Sequence, residues 1–548
     1  MPARCASHST GDLEMQMEGA EFDYIVVGAG SAGSVIAARL SERADVSVLL
    51  IEAGGSDNRF WLKIPVGYGR TITDPTVNWK YMTEPNPALG GRRIYWPRGK
   101  TLGGSSSING LIYIRGQAQD YDQWRQLGNE GWGYDDVLPF FRRAEDQENG
   151  EDRYHGVGGP LSVTNLVERN PLCDALIGSA EANGVPHNPD FNGAAQEGVG
   201  YYQATIRNGA RCSTSVAYLN PVKRRPNLTI LTEAQAEKVL FDGPRANGLR
   251  VRRRGESFTV RSRRELILSG GSVNSPQLLL LSGVGPAAEL KALGIDPVHD
   301  LPGVGENLQD HYGGQITWRC NQPITMNDIM LSKRKQLFAG LTWLLFRDGP
   351  LSVPAGQAGL FARVSPGAAT PDVQFLFQTF SGGYYEDGLF KFSGFANFIC
   401  PVRPQSRGRL SLASADPFEA PRLAPNYFAH EADRRIAVEG LKLARRIAAT
   451  PPLADFISAE HLPGGDVRSD DEIEAYFRET GGCVSHQVGT CKMGKDRMAV
   501  VDSRLRVHGV QGLRVADASI MPTLISGNTN AASIMIGEKA AQMIADDA

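Results

Sequence analysis

Phe22 to Gly54 carries the clearest alternation of apolar and small residues in the chain. FDYIVVG (residues 22–28) reads as a buried strand, GSAGSVIAARLSER (30–43) as a helix with small residues along one face, and VSVLLIEAG (46–54) as a second buried strand. Two parallel strands need such a crossover, so the stretch predicts a βαβ unit. From Asn227 the pattern turns to short alternating strands, LTILT, KVLFD, GLRVRRR, SFTVRS and RELILSGG, followed by a helix in SPQLLLLSGVG. The arginines clustered between Arg250 and Arg264 fall on the expected solvent face of a hairpin, interleaved with Glu256 and Glu265. Between about His311 and Glu474, VQFLFQTF, FANFICPV and GRLSLAS read as strands of a separate sheet, and EADRRIAVEGLKLARRIAA as an amphipathic helix. LRVADAS is a last short strand, and a helix begins at Asn530. The two ends of the chain are therefore expected to serve one domain.

Length and charge narrow the picture. At 548 residues, and with roughly 100 to 200 residues per domain, two or three units are expected. The formal charge of -3, from 57 basic and 60 acidic residues, supplies no broad field for nucleic acid or an anionic membrane. Seven cysteines, an odd number without a CxxC pair, do not make a disulfide framework and fit a reducing compartment, so a cytoplasmic location is expected, with a peripheral position on the inner face of the membrane as the variant. The first twenty residues lack an apolar core or transit-peptide character and read as a disordered lead. No apolar run approaches the ~20 residues of a membrane span. The nearest, FAGLTWLLF (Phe338 to Phe346), is expected in the core, with a surface loop touching lipid as the other reading.

Gly28-Ala29-Gly30-Ser31-Ala32-Gly33 follows the first strand and opens the helix, and Glu52 ends the next strand. Glycines there allow the tight turn and a close approach of backbone to a pyrophosphate at the helix N-terminus, and the acidic side chain suits an adenosine ribose. An acid at this point repels a 2'-phosphate, which disfavours NADP and leaves NAD and FAD. The run WPRGKTLGGSSSINGLIYIRG (Trp96 to Gly116) offers closely spaced backbone donors with little side-chain bulk, and its Ile108, Leu111, Ile112 and Ile114 imply burial. That combination favours a flavin.

The same motifs, together with SGGSVNSPQLLLLSGVGP, LPGVGENLQDH, SHQVGTCKMG and RVADASIMPTLISGNTNAASIMIGEKAA, resemble the glucose-methanol-choline (GMC) flavin oxidoreductases over residues 22 to 548, closest to their choline, alkanol and L-sorbose dehydrogenase branch. The resemblance implies an α/β fold: a Rossmann-like FAD-binding domain (22–170, 211–310 and 505–548) and a second α+β substrate-binding domain on an antiparallel sheet (171–210 and 311–504). It places His486 as the active-site base, with Asn530 as its neighbour holding the substrate oxygen. A neutral imidazole suits removal of a hydroxyl proton as hydride leaves the carbon. It implies cofactor contacts from Gly28, Gly30, Ser31, Ala32, Gly33, Glu52 and Ala53, from Gly99, Leu102, Gly103, Gly104, Ser105, Asn109 and Gly110, and from Ala236, Asp517, Ala518, Asn528 and Thr529. Gln357 and Ser485 are implied on the substrate side. Asn528 or Asn530 is expected to cap the C-terminal helix and aim its positive end at the flavin.

Cys483, His486 and Cys491 lack a fourth ligand nearby, so no metal is expected, and the two cysteines read as packing residues. Ile108 stands where covalently flavinylated relatives carry histidine, which implies dissociable FAD. Gln357 stands where the choline-specific branch is acidic, which favours a neutral alcohol or polyol. The expected activity is FAD-dependent oxidation of an alcohol to an aldehyde or ketone, with a polyol such as L-sorbose as lead substrate and a primary aliphatic or aromatic alcohol as runner-up. A quinone or dye is the expected acceptor, with O₂ the alternative. A lyase or a fatty-acid photodecarboxylase on the same fold, and a non-enzymatic flavin binder, are the competing classes.

Overall fold

The computed structural model describes residues 14, 15, 17–383 and 388–548. Strand β1 (Ala20–Val27), helix α1 (Gly33–Leu40) and strand β2 (Val48–Ile51) form the predicted βαβ unit, with β1 and β2 parallel and Ile25 opposite Leu49. These strands are apolar in succession rather than alternately because both faces of the sheet are covered. The sheet runs in the order Leu228–Leu231, β2, β1, Glu256–Leu268, Arg245–Arg253, Ala234–Asp242, and Leu513–Val515 also pairs with Glu256–Leu268. Its centre is parallel and its outer hairpins antiparallel.

The segments SFTVRS and RELILSGG, expected as two strands, form one strand, Glu256–Leu268, whose pairing with β1 shifts register between Phe22 and Tyr24. The irregularity absorbs the break in alternation that suggested two pieces. The arginines of this strand and of its neighbour Arg245–Arg253 face solvent and carboxylates, as in the pairs of Arg250 and Arg252 with Glu237 and of Arg263 with Asp23.

The second sheet is antiparallel, in the order Ile457–Leu462, Tyr312–Cys320, Gly394–Pro401, Val373–Gln378, Ala358–Ala362, Gly198–Tyr201. Helix Glu431–Ala448 lies on one face, where a side chain at Gly440 would meet Ile399 at 2.7 Å. GRLSLAS is not in this sheet: Arg409–Ser411 pairs with Arg422–Ala424 as a separate ribbon.

Two further expectations give way. Within the lead expected to be disordered, Met17 is buried and Glu14, also buried, pairs with Arg253 at 2.7 Å, so the described residues from 14 onward are packed on the first sheet; residues 1–13 and 16 lie outside the described residues. FAGLTWLLF is not core. It belongs to helix α2 (Lys333–Phe346), of which only Ala339 and Trp343 are buried.

The C-terminal helix α3 (Asn530–Asp546) packs along α1. Arg39 of α1 reaches the buried Glu538 of α3 at 2.8 Å, and Gly537 lets the two backbones approach, since a Cβ there would stand 2.8 Å from Ala32 O. First and last elements thus pack together in one domain. No helix among the described residues is long and apolar enough to cross a membrane.

Candidate active site

A cavity of about 790 Å³ runs from the carboxyl ends of β1 and β2, past the glycine-serine loop, to the second sheet. A ligand in the crevice at the carboxyl ends of parallel strands is the usual arrangement of open α/β sheets. Gly28, Gly30, Ser31, Ala32, Glu52, Ala53, Gly99, Gly104, Ser105, Asn109, Gly110, Ala236, Gln357, Ser485, His486, Asp517, Ala518, Asn528, Thr529 and Asn530 all line it. Gly33, Leu102 and Gly103 do not: a Cβ on Gly33 would stand 1.9 Å from Gly28 O, so it serves the turn itself, and Leu102 and Gly103 hold the loop from behind through bonds to Gly55 O and Ala29 O.

Gly28 has φ +100°, and a Cβ there would meet Ser269 O at 2.5 Å, so only glycine fits. Gly30, by contrast, faces open space. Gly104 has φ +53° and stands so close to the turn that its Cβ would lie 2.7 Å from Gly30 Cα. The glycine-serine loop therefore closes on the nucleotide turn backbone to backbone. Glu52 accepts from Ala29 N at 2.9 Å and Gly54 N at 2.8 Å, and burial pushes its carboxyl up to about 7 against those two donors. Asn109 Oδ1 accepts from Arg211 at 2.7 Å, and burial pulls this guanidinium down to about 9. Asp517 is held by Gly271 N and Ser275 Oγ at 2.8 and 2.6 Å, and burial raises its carboxyl.

Asn530, the amide expected beside His486, lines the same cavity. Its Oδ1 accepts from Ser31 Oγ at 2.7 Å, tying α3 to the nucleotide turn. The amide in hydrogen-bond contact with His486 is Asn528, whose Nδ2 lies 3.2 Å from His486 Nε2 and whose Oδ1 accepts from Gln374 at 3.3 Å. Neither asparagine caps α3: the cap position is Thr529, in helical conformation, with no side-chain bond to the first turn. The two amides are drawn sideways, to the histidine and to Ser31, and that leaves the first N–H groups of α3 without a side-chain acceptor.

His486 is fixed on several sides. Its backbone N–H donates to Asp310 Oδ1 at 2.6 Å, and Gln487 Nε2 and Tyr427 Oη also donate to Asp310, a carboxyl that burial pushes up to about 6. Its Nδ1 lies 2.9 Å from Nδ1 of His311, and His311 Nε2 lies 2.8 Å from Val402 O. A carbonyl only accepts, so His311 carries its proton on Nε2. Burial pulls His311 down to about 4, which keeps it neutral and leaves its Nδ1 an acceptor. His486 must then donate from Nδ1, and its Nε2 lone pair accepts from Asn528 Nδ2 at the cavity wall. Burial, His311 and the charge of Arg98 hold the His486 imidazolium well below the ordinary histidine value. Arg98 bridges the two halves of the site, from Ser105 Oγ at 2.7 Å to Ser485 O at 3.0 Å. Ser485 itself sits at φ +63°, which turns the strand so that the next side chain enters the cavity.

No disulfide links the described cysteines, and among the described residues no group of three or more His, Cys, Asp or Glu forms a metal-holding cluster.

Residues 22–313 match the N-terminal region of the GMC oxidoreductases and residues 404–537 their C-terminal region. The chain belongs to the GMC oxidoreductase family. It is 44% identical over 533 residues to an oxygen-dependent choline dehydrogenase of Ectopseudomonas mendocina (strain ymp), covering 96% of this chain and 94% of that one. Among solved structures, pyridoxine 4-oxidase from Mesorbium loti superposes with a TM-score of 0.88 at 31% identity over 96% of this chain and 99% of its own. An FAD-dependent oxidoreductase from Chaetomium thermophilum does so at 0.87 and 25%, over 96% and 99%. This GMC enzyme is accordingly an FAD-dependent oxidoreductase of alcohol-type substrates on the two-domain α/β GMC fold. Its glycine turn, the open wall at Gly30 and the acid at Glu52 fit a dinucleotide, so the residues present suit FAD.

Sequence reasoning missed His311, Asp310, Gln374 and Arg98 as parts of the site. His311 and Asp310 stand in LQDH, a motif recognised for the family and given no role, because nothing in the chain order brings residue 311 to residue 486.

Proposed function

We propose that this enzyme oxidises a neutral, predominantly apolar primary alcohol to its aldehyde, with His486 as the base and Asn528 as the amide that holds the substrate oxygen. The observation that carries the reading is the lone pair on His486 Nε2, set by the contact with His311 and facing the cavity beside Asn528 Nδ2. In that arrangement His486 Nε2 takes the hydroxyl proton, and Asn528 orients the oxygen so that one C–H bond is held toward the cofactor. FAD, when bound, supplies the hydride acceptor. With the amide role passing to Asn528, Asn530 becomes a support of the cofactor turn.

Substrate choice follows from the lining. The cavity lining includes the apolar Ile112, Val353, Leu376, Phe398 and Val484 beside the neutral polar Gln315, Gln357, Gln378 and Thr379, and the carboxylates lining it among the described residues, Glu52 and Asp517, are engaged by backbone donors in the first domain. That lining favours an aliphatic or aromatic alcohol over the polyol that led the sequence-based expectation, and it offers a quaternary ammonium no counter-ion. We read residues 22–170, 211–310 and 505–548 as the FAD-binding unit and 171–210 and 311–504 as the substrate unit. FAD is dissociable in this reading, because Ile108 at the loop has no atom to bond it. The acceptor is a quinone or its dye surrogate, with O₂ as the alternative.

The test is a panel of 1-octanol, benzyl alcohol, L-sorbose and choline in a dye-reduction assay, with an oxygen electrode alongside. The apolar alcohols should show the highest kcat/KM and bleach the flavin anaerobically. A preference for L-sorbose or choline, or turnover that leaves the flavin oxidised, would overturn it.

A further inference from the structure

Helix α2 turns two different faces to its surroundings. Gln336, Ala339, Gly340 and Trp343 line the cavity, and Trp343 is anchored through Nε1 to Gly209 O at 2.8 Å. At 100° per residue, Leu337, Phe338, Leu341, Leu344 and Leu345 fall within about 120° of arc on the other side. They are largely uncovered: Leu337 is 63% exposed, Phe338 65%, Leu341 44%, Leu344 57%, Leu345 69% and the terminal Phe346 74%. Scattered apolar side chains on a surface are ordinary, but a continuous face of this kind marks an interaction site. Phe60 and Trp61 extend it, with Phe60 edge-on to Trp343 at 6.1 Å and Arg70 over the Trp61 ring at 4.1 Å. Phe60, Met330 and Gln336 are both exposed and cavity-lining, so the cavity reaches the surface at the rim of this face.

Charge identifies the occupant. Residues 331–347 contain Lys333, Arg334, Lys335 and Arg347 and no acid, and Arg59, Lys63 and Arg70 stand around the aromatic turn; Glu168 and Asp348 are the acids at the far end of the helix. A second copy of this chain would bring two basic faces together. An anionic bilayer instead meets lysines and arginines at the headgroups and leucines, phenylalanines and Trp61 at the acyl boundary. We propose that α2 and the Phe60–Trp61 turn seat the enzyme on an anionic lipid surface, with the mouth of the cavity against the membrane. On the substrate reading above, an apolar alcohol dissolved in the bilayer then enters without crossing water; the docking itself rests only on the face.

The experiment is co-sedimentation of the FAD-loaded enzyme with vesicles of phosphatidylcholine alone or mixed with phosphatidylglycerol, followed by turnover of a short water-soluble alcohol. Wild type should pellet with the anionic vesicles, less with neutral ones and less at high salt. L337S/L345S and F338S/F346S touch no cavity wall and expose no core. Each should weaken partitioning about a hundredfold, because a buried leucine or phenylalanine is worth roughly a factor of ten, while short-alcohol turnover stays at the wild-type level. Wild type left in the supernatant with anionic vesicles, variants that pellet as well as wild type, or a concentration-dependent dimer abolished by the same variants would each overturn the proposal. No substrate enters the sedimentation step, so its failure is distinct from failure of the substrate reading.

Discussion

Nδ1 of His311 lies 2.9 Å from Nδ1 of His486, and that contact decides which nitrogen of the proposed base faces the cavity. Because Val402 O fixes the proton of His311 on Nε2, the pair has one consistent arrangement of protons while both rings are neutral. His311 is a positioning residue: it touches His486 and not the cavity. In His311→Phe the ring volume remains and the acceptor is lost, so His486 is free to take the other tautomer. We expect kcat to fall ~10- to 10³-fold with FAD still bound, and the acid limb of the pH profile to move toward the ordinary histidine value. Unchanged kcat and an unchanged profile would remove His311 from the mechanism.

The pH dependence has a definite sign. His486 accepts a proton only when neutral, and burial, His311 and Arg98 all hold its imidazolium below the ordinary value. Activity is therefore present above that lowered pKa and lost as pH falls through it. A profile of kcat/KM against pH should stay flat through pH ~6.5 and bend only in more acid solution. A limb centred at or above 6.5 would mean that the imidazole is not held as described.

The two asparagines of NTNAA separate by what they touch. Asn528→Ala removes the amide 3.2 Å from His486 Nε2 and should lower kcat about a hundredfold with normal flavin content. Asn530→Ala cuts the bond to Ser31 Oγ and should instead reduce FAD retained on gel filtration, with kcat per bound flavin little changed. The reverse pattern would restore Asn530 as the substrate amide.

Gly104→Ala tests the cofactor cradle. The added methyl would stand 2.7 Å from Gly30 Cα at a residue with φ +53°, so the loop must lift off the turn. The purified variant should fold with the circular dichroism of wild type and yet be nearly colourless, whereas full flavin content would show that the loop does not need this approach.

The nucleotide half was legible because it is local. GAGSAG, its two strands and Glu52 lie within some thirty residues, and each depends on sterics that chain order expresses directly. The catalytic half was legible only as far as motif resemblance reached. That resemblance singled out His486 as the candidate base, but the choice between Asn528 and Asn530 turns on which way two side chains point at the start of one helix, and no periodicity encodes that. Long-range partners such as His311 and Gln374 reach the site through different strands of the second sheet. Helix α2 misled for another reason: FAGLTWLLF has core composition, and hydropathy alone does not distinguish a face turned to protein from one left uncovered.

Gln357 bears on why a relative of choline dehydrogenases should prefer neutral alcohols. Its side chain is buried in the cavity wall and accepts from Cys173 Sγ at 3.5 Å. A trimethylammonium group entering this chamber would give up water and meet no opposite charge, an unfavourable exchange in so apolar a site. In Gln357→Glu the new carboxyl would itself resist ionisation while the chamber is empty, since burial without a partner disfavours its charged form. A bound cation reverses that balance, so ionisation and choline binding should be coupled. We expect the ratio of kcat/KM for choline to that for 1-octanol to rise by at least about tenfold, roughly one favourable charge contact, and to rise further with pH as the new carboxyl ionises. Choline already preferred by the wild type, or a ratio unmoved by the substitution at any pH, would mean that position 357 does not face the substrate's charged end.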